Sequence, residues 1–508
     1  MTETLPLDGR SLTLEQFLAV VRGGCAVSIT PEARQAVAQS RRIVERAVAA
    51  GRPVYGVTTG FGALSDRAIP TGRARELQTS LIRSHASGAG PALPRDVVRG
   101  LVLLRLNSLV RGHSGVRGEL LDLLIEILNR GLIPYIPEQG SVGASGDLAP
   151  LAHLGLAMIG EGEFIDRAGN RVPAASVLQA EGMAPISLVE KEGVGLVNGT
   201  SLMGSYLALA VADVRELFDA AKIAAALSFD ALQGDPQSLD DRLGEARNLP
   251  AQRRAATAMR ALLARSTLSV PRTTWQGQDA YTLRCIPQVF AAVELAIDFA
   301  DGIARGELNA VTDNPLVFEG DEFVSGGNFH GQPLALALDT LALPVQYLAA
   351  FSERRTARLL NPTLNRGLPA FLAPEPGVTS GLTIPQYLAA ALVNENATLV
   401  DPASATSLST SADQEDFVSM GPWAGAKLRR IISNTQRIIG IEWIVAGQAM
   451  ELRRPLSGGR GSEAALRVLR EHVAPWSQDR SPAADIERVA QGIADGAFVQ
   501  RVRGEVPF

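Results

Sequence analysis

Apolar residues recur at helical spacing over most of the chain. The segment Leu101-Val-Leu-Leu-Arg-Leu and the stretch 120–132 repeat with a period near 3.6 residues. Longer segments follow over 204–234, 289–309, 333–360, 385–400 and 424–453, each bounded by Gly, Pro, Asn or Asp. The stretch 204–234 has no proline and reads as one long amphipathic helix. Its apolar face, like that of 424–453, suits subunit packing or a monomer core equally. The first 110 residues are more mixed. Thr30-Pro31-Glu32 sets a hydroxyl before a proline and opens a helix over 31–50. Residues 54–63 are rich in Gly and Thr and predict a loop, and a helix over 76–84 ends at Ser84 and His85. Gly169-Asn170 predicts a small hairpin over 164–172. The pattern therefore predicts a mainly α fold. A smaller mixed N-terminal lobe over 1–110 joins a large central bundle of long helices over 111–508.

Composition narrows the function. The chain has 508 residues, 48 Lys plus Arg against 53 Asp plus Glu, and a formal net charge of −5. No basic excess is present to attract a nucleic-acid backbone. Two cysteines, Cys25 and Cys285, in so long a chain argue against a disulfide scaffold and fit a cytoplasmic protein. The first residues lack a basic segment followed by an apolar one. The most apolar run, 148–160, contains His153 and is shorter than the roughly 20 residues a bilayer requires, so no membrane partner is expected. Aromatic residues make up only 5%, and abundant Ala and Leu suit close helix packing.

Several loops between the helices concentrate glycine and polar groups that a bundle does not need: 140–147, Asn198-Gly-Thr, Gly326-Gly-Asn-Phe-His-Gly and Gln414-Glu-Asp-Phe-Val-Ser-Met. Such loops on a rigid scaffold are where sites lie. Gly143-Ala144-Ser145-Gly146-Asp147 has distinctive chemistry. Gly146 lacks a side chain, so its amide nitrogen can approach the Ala144 carbonyl. Attack there closes a five-membered ring, and loss of water from Ser145 leaves an exocyclic methylidene group. Asp147 is placed to take part in the proton transfers. The product is a strong electrophile made from the chain itself.

The segment Gly143-Ala-Ser-Gly-Asp-Leu-Ala-Pro-Leu-Ala-His153 resembles the cofactor segment of the histidine and aromatic amino acid ammonia-lyase family. The resemblance continues in order through nearly the whole chain. Tyr55-Gly-Val-Thr-Thr-Gly-Phe-Gly62 resembles the catalytic tyrosine loop, and Ser84-His85-Ala-Ser-Gly88 the substrate side-chain segment of the histidine enzymes. Further blocks are Leu196-Val-Asn198-Gly-Thr200, Gln278-Asp-Ala-Tyr281-Thr-Leu-Arg284-Cys, Thr312-Asp-Asn-Pro315, Gly326-Gly-Asn-Phe329-His-Gly331 and Gln414-Glu415-Asp. The resemblance implies a mainly α, fumarase/aspartase-like helix bundle. It also implies a homotetramer whose sites combine loops from three subunits, and a 4-methylidene-imidazol-5-one formed from Ala144, Ser145 and Gly146, with no metal and no nucleotide.

Roles follow from the same blocks. Tyr55 is the candidate general base, and a phenol acting near neutrality needs cationic or hydrogen-bonding neighbours. Arg284 is expected to hold the substrate carboxylate in a bidentate pair. Asn198 and Tyr281 are donors for charge arising on the ring, Gln278 sits near substrate, and Phe329 forms an apolar wall. An imidazole has one donor and one acceptor, so Glu415 with His85 makes a candidate imidazole clamp. Enzymes acting on phenylalanine or tyrosine usually have Asn-Gln-Asp where this chain has Gln414-Glu415-Asp, which favours L-histidine and a trans-urocanate product. Departures from the histidine enzymes are Phe417 where they have histidine, Thr383 and Tyr387 in a divergent segment, Ala280 in place of proline, and Trp275. Tyrosine or phenylalanine elimination, a modified imidazole substrate and an aromatic 2,3-aminomutase are the alternatives. The five histidines lack metal-site spacing, and Gly326-Gly327 lacks a P-loop lysine.

Overall fold

A computed structural model describes residues 4–274 and 277–508. Trp275 lies outside the described residues. Nearly every expected helix is present with its ends shifted by a few residues: Pro31–Ala49, Ala74–His85, Arg95–Leu109, Gly118–Asn129, Ile286–Glu307, Gln332–Leu360, Thr383–Leu399 and Gly421–Leu452. The hairpin is present too, as Glu163–Ile165 paired antiparallel with Arg171–Pro173, and Ile133–Pro134 extends it to three strands.

The chain groups into two compact units, neither of them continuous in sequence. The grouping does not follow a 1–110 and 111–508 division. The first unit comprises 1–209, 301–339 and 402–426; the second comprises 210–300, 340–401 and 427–508.

In the first unit local signals set the element starts. Thr13 caps helix Leu14–Val21 in a capping box with Gln16, and the Thr30 hydroxyl accepts from Ala33 N with Pro31 in the first turn. Ile43, Val44 and Ala47 on helix Pro31–Ala49 pack with Val54, Val57 and Val317 in one apolar cluster. Burying Val54 and Val57 anchors the loop on both sides of Tyr55. The wholly buried Gln78 then ties that loop inward: its Nε2 donates to Gly56 O at 3.1 Å and its Oε1 accepts from Gly193 N at 2.9 Å. Asn107 Nδ2 donates to Leu308 O at 2.8 Å, fastening the returning segment near 309 to helix Arg95–Leu109.

Helix Ser201–Ala231 departs from the amphipathic expectation: nearly all of its residues are buried. Its alanines and leucines admit neighbours on every side, so its apolar surface serves the core of the chain. Helix Gln332–Leu360 is long and apolar enough by composition to cross a membrane, yet 61% of its most apolar window is buried within the protein, as in a core helix. In the second unit Trp443 is fully buried and donates Nε1 to Ala220 O at 3.1 Å. Large exposed apolar side chains stand elsewhere in that unit, on Leu343 and Tyr347 and on Ile384, Tyr387 and Leu388.

A buried ion pair also sits in the second unit. Glu442 Oε1 accepts from Arg355 Nε at 2.5 Å and from Ser228 Oγ at 2.6 Å, while Oε2 accepts from Arg355 Nη2 at 2.8 Å. Removing one partner strands the other charge in a low dielectric. Glu442→Leu is therefore expected to cost about 3–5 kcal/mol, seen as a lowered unfolding midpoint in a thermal or denaturant melt.

Candidate active site

Six of the predicted site residues face one cavity of about 490 Å³ in the first unit: Tyr55, His85, Ser145, Asn198, Phe329 and Glu415. Six chain segments far apart in sequence deliver them. Tyr55 comes from the pinned glycine loop, His85 ends helix Ala74–His85, and Ser145 precedes helix Leu148–Met158. Asn198 lies between helices Glu192–Val197 and Ser201–Ala231. Phe329 and Glu415 come from the two returning segments.

The centre of the site is a close approach between two backbones. Gly146 pairs with Gly199 in a parallel bridge, in which Gly199 N donates to Ser145 O at 3.3 Å and Asp147 N donates to Gly199 O at 2.7 Å. This pattern uses the residues on either side of Gly146, so the Gly146 N–H is directed away from Gly199. Both positions require glycine. Gly146 has φ +77°, and a Cβ there would stand 2.1 Å from Gly199 O; Gly199 has φ +151°, and its Cβ would stand 2.4 Å from Arg105 Nη1. Asp147, fully buried, braces the far side: its Oδ2 accepts from Leu202 N at 2.8 Å and Met203 N at 3.1 Å at the start of helix Ser201–Ala231. Burial pushes the Asp147 carboxyl up to about 7, against the lowering effect of those two amides.

The Ser145 hydroxyl donates to Glu415 Oε1 at 3.0 Å, and Thr410 Oγ1 donates to Glu415 Oε2 at 2.7 Å. The Gly62 amide donates to the Tyr55 phenol oxygen at 3.1 Å, and Phe61 packs edge-on to that ring. His85 Nδ1 lies 2.9 Å from Ser84 Oγ, whose hydroxyl donates to Leu81 O at 3.1 Å. In the tautomer this chain of bonds implies, Nδ1 carries the hydrogen and Nε2 is the acceptor. Burial lowers the His85 pKa, with the Glu415 charge opposing, so the ring is neutral near pH 7. Asn198 is buried, and its Nδ2 donates to Asn314 O at 3.2 Å.

The remaining candidates are elsewhere. Gln278, Tyr281 and Arg284 belong to the second unit and are absent from the lining of this cavity. Asp279, paired with Arg272 and Arg366, anchors their segment. Tyr281 is 67% exposed, and the Arg284 guanidinium stands 4.7 Å from its ring centre. Thr383 and Tyr387 lie on the exposed start of helix Thr383–Leu399, and Phe417 stacks on His330; none of the three lines the cavity. Sequence reasoning missed Thr410, which orients Glu415, and gave Asn314 a block but no role. A larger cleft of about 1110 Å³ in the second unit is lined by paired charges such as Lys222 with Asp219 and Arg254 with Glu294, and holds none of the predicted residues.

A largely apolar cavity that holds a phenol, an imidazole and a carboxylate beside two closely approaching backbones, carried on a mainly helical scaffold, fits an enzyme of the helical lyase class. A model of the aromatic amino acid lyase family matches residues 12–471. The chain is 48% identical over 495 residues to the histidine ammonia-lyase of Symbiobacterium thermophilum, covering 97% of each chain. Among solved structures, tyrosine aminomutase from Streptomyces globisporus superposes with a TM-score of 0.95 at 37% identity, covering 100% of this chain and 99% of that one. Histidine ammonia-lyase from Trypanosoma cruzi superposes with a TM-score of 0.92 at 40% identity, covering 99% and 96%. The chain belongs to the aromatic amino acid lyase family.

The Asp147 carboxyl carries a pH signature. Its folded pKa of about 7 lies above the ordinary 3.8, so its contribution to stability is fully present below about pH 4 and is lost as pH rises through 7. Asp147→Asn is expected to remove that decline. The difference between wild-type and variant melting midpoints, measured from pH 4 to 8, should change steadily across the interval; a constant difference would reject the assignment.

Proposed function

We propose that this carbon–nitrogen lyase eliminates ammonia from L-histidine to give trans-urocanate. The observation that carries the reading is the convergence of Ser145, Tyr55, Asn198, His85 and Glu415 on one cavity. The identity to histidine ammonia-lyases over nearly the full chain supports the substrate.

The residues around Ala144-Ser145-Gly146 fit a 4-methylidene-imidazol-5-one. The Gly146 N–H is turned away from Gly199, no side chain at 146 can intervene, and the Ser145 hydroxyl that must depart points at Glu415. That group supplies an electrophile which makes the substrate amine a far better leaving group. The chain's own residues do the rest. Tyr55, held by the Gly62 amide, takes the β-proton. Phe329 walls the reacting carbons with an apolar surface and Asn198 offers an amide donor. Glu415 receives an imidazole N–H. A substrate imidazole protonated at both nitrogens would donate to Glu415 and to His85 Nε2; a neutral one requires His85 to change tautomer.

Gln278, Tyr281 and Arg284 would act from another copy of the chain. In this reading Arg284 clamps the substrate carboxylate and Tyr281 adds a hydroxyl donor, within a homotetramer in the cytoplasm. The exposure of Tyr281 and of the apolar side chains at 343, 347, 384, 387 and 388 supports such an assembly.

An ultraviolet time course with L-histidine, L-tyrosine and L-phenylalanine offered separately, with ammonia assayed in parallel, tests the reading. Urocanate with stoichiometric ammonia from histidine alone is expected; cinnamate, coumarate or a retained β-amino acid would overturn it. Ser145→Ala is expected to abolish turnover together with the ultraviolet band of the ring. Glu415→Gln should depress kcat/KM for an imidazole substrate by at least about tenfold, the worth of one charge-assisted hydrogen bond. It should leave any residual activity on a phenyl substrate much less changed, and equal losses on both would remove Glu415 from specificity.

A further inference from the structure

Behind the 198–199 peptide lies a set of buried charges that the proposed chemistry does not use. Arg105, in helix Arg95–Leu109, is wholly buried. Its Nη1 donates to the Asn198 carbonyl at 2.6 Å and its Nη2 to Ser108 Oγ at 3.0 Å. Its Nε is buried with no hydrogen-bond partner among the described residues. Burial lowers the pKa of this guanidinium, while Asp313, Asp147 and Glu307 hold it charged. Asp313 is itself committed elsewhere, to Lys191 Nζ at 2.5 Å and to the Asn314 amide at 2.7 Å.

A buried cation with an orphaned N–H carries a desolvation cost that its two hydrogen bonds only partly offset, so stability alone is a weak reason to keep it. Its contacts suggest a different use. The guanidinium fills the space where a Cβ on Gly199 would lie, 2.4 Å from Nη1, with Thr312 Oγ1 at 2.7 Å beside it. One face of the 198–199 peptide thus rests on Arg105. Its opposite edge, the Gly199 N–H, donates to the Ser145 carbonyl, and the adjoining Gly199 carbonyl accepts from the Asp147 amide. The orientation of this peptide fixes where the Ser145 carbonyl points, and through Gly199 it sets the next carbonyl, which takes the Asp147 amide; together they direct the Gly146 nitrogen between them.

We propose that Arg105 is a positioning residue for ring closure: by fixing the Asn198–Gly199 peptide it aims the Gly146 nitrogen at the Ala144 carbonyl carbon. The inference rests on the maturation chemistry proposed above. In that step the Gly146 N–Ala144 C bond forms, and the Ala144 carbonyl oxygen leaves as water with the hydrogens of the Gly146 and Ser145 amides, leaving a double bond from the Ala144 carbon to the Ser145 nitrogen. Ser145 then loses its hydroxyl and α-hydrogen as a second water. No oxidant or co-reactant is consumed. Arg105 touches none of the reacting atoms and acts through the peptide it holds.

Intact-mass measurement of the full chain, followed over time after synthesis, reads this step without any turnover. Wild type should become lighter than its encoded mass by two waters, whereas Ser145→Ala should not lose both; wild type that stays at its encoded mass would reject the proposed chemistry itself. Arg105→Met should slow the loss about 100-fold, the effect expected of a misplaced reacting group, in a chain that still folds by circular dichroism, with a lowered midpoint because the Asn198 carbonyl loses its donor. Arg105→Lys, which keeps one donor for the Asn198 carbonyl, should fall between them. A wild-type rate of water loss in either folded variant would overturn the assignment, as would failure of both to fold, which would make Arg105 a stability residue only.

Discussion

The site depends on the bridge between Gly146 and Gly199. Two backbones can approach this closely only where neither carries a side chain, and each glycine occupies a positive φ that other residues avoid. Everything near it is arranged around that approach. Asp147 ties the tripeptide to the start of helix Ser201–Ala231, and Arg105 supports the opposing peptide from behind. Glu415 meets the Ser145 hydroxyl in front. The long helices act as supports for short irregular segments, and the chemistry belongs to those segments.

Much of this organisation was legible in the sequence, for identifiable reasons. Helices such as Pro31–Ala49 announce themselves by a capping threonine, a first-turn proline and a regular apolar period, all local signals. Ser145, Asn198, Phe329 and Glu415 lie in loops whose glycine and polar groups a bundle has no use for, whereas Tyr55 and His85, and the role of each residue, came from the resemblance of their segments to the family's. In helix Ser201–Ala231 small apolar residues leave a weak contrast between faces, and only the packed chain shows that burial extends round nearly all of it apart from a partly exposed strip at Asp213, Arg215, Glu216 and Lys222.

What the sequence hid was pairing across distance. Nothing near Thr410 signals that it holds Glu415, and nothing in helix Arg95–Leu109 marks Arg105 as the support of a peptide 93 residues away. The discontinuous grouping of the chain was hidden for the same reason. Segments 301–339 and 402–426 return to the first unit, and such returns are set by packing that no local window contains. Gln278, Tyr281 and Arg284 were recognised by family likeness, yet they lie outside the cavity that collects the others.

That separation has a kinetic meaning. Ala144, Ser145, Gly146, Asp147, Gly199 and Arg105 all belong to the first unit. Ring closure drawn from these groups is a first-order event of one chain, and its half-time is independent of protein concentration. A reaction that also needs Arg284 from another copy would follow mass action in subunits. Dilution would then silence turnover and leave the finished electrophile in place, an enzyme chemically mature and dormant until its copies meet.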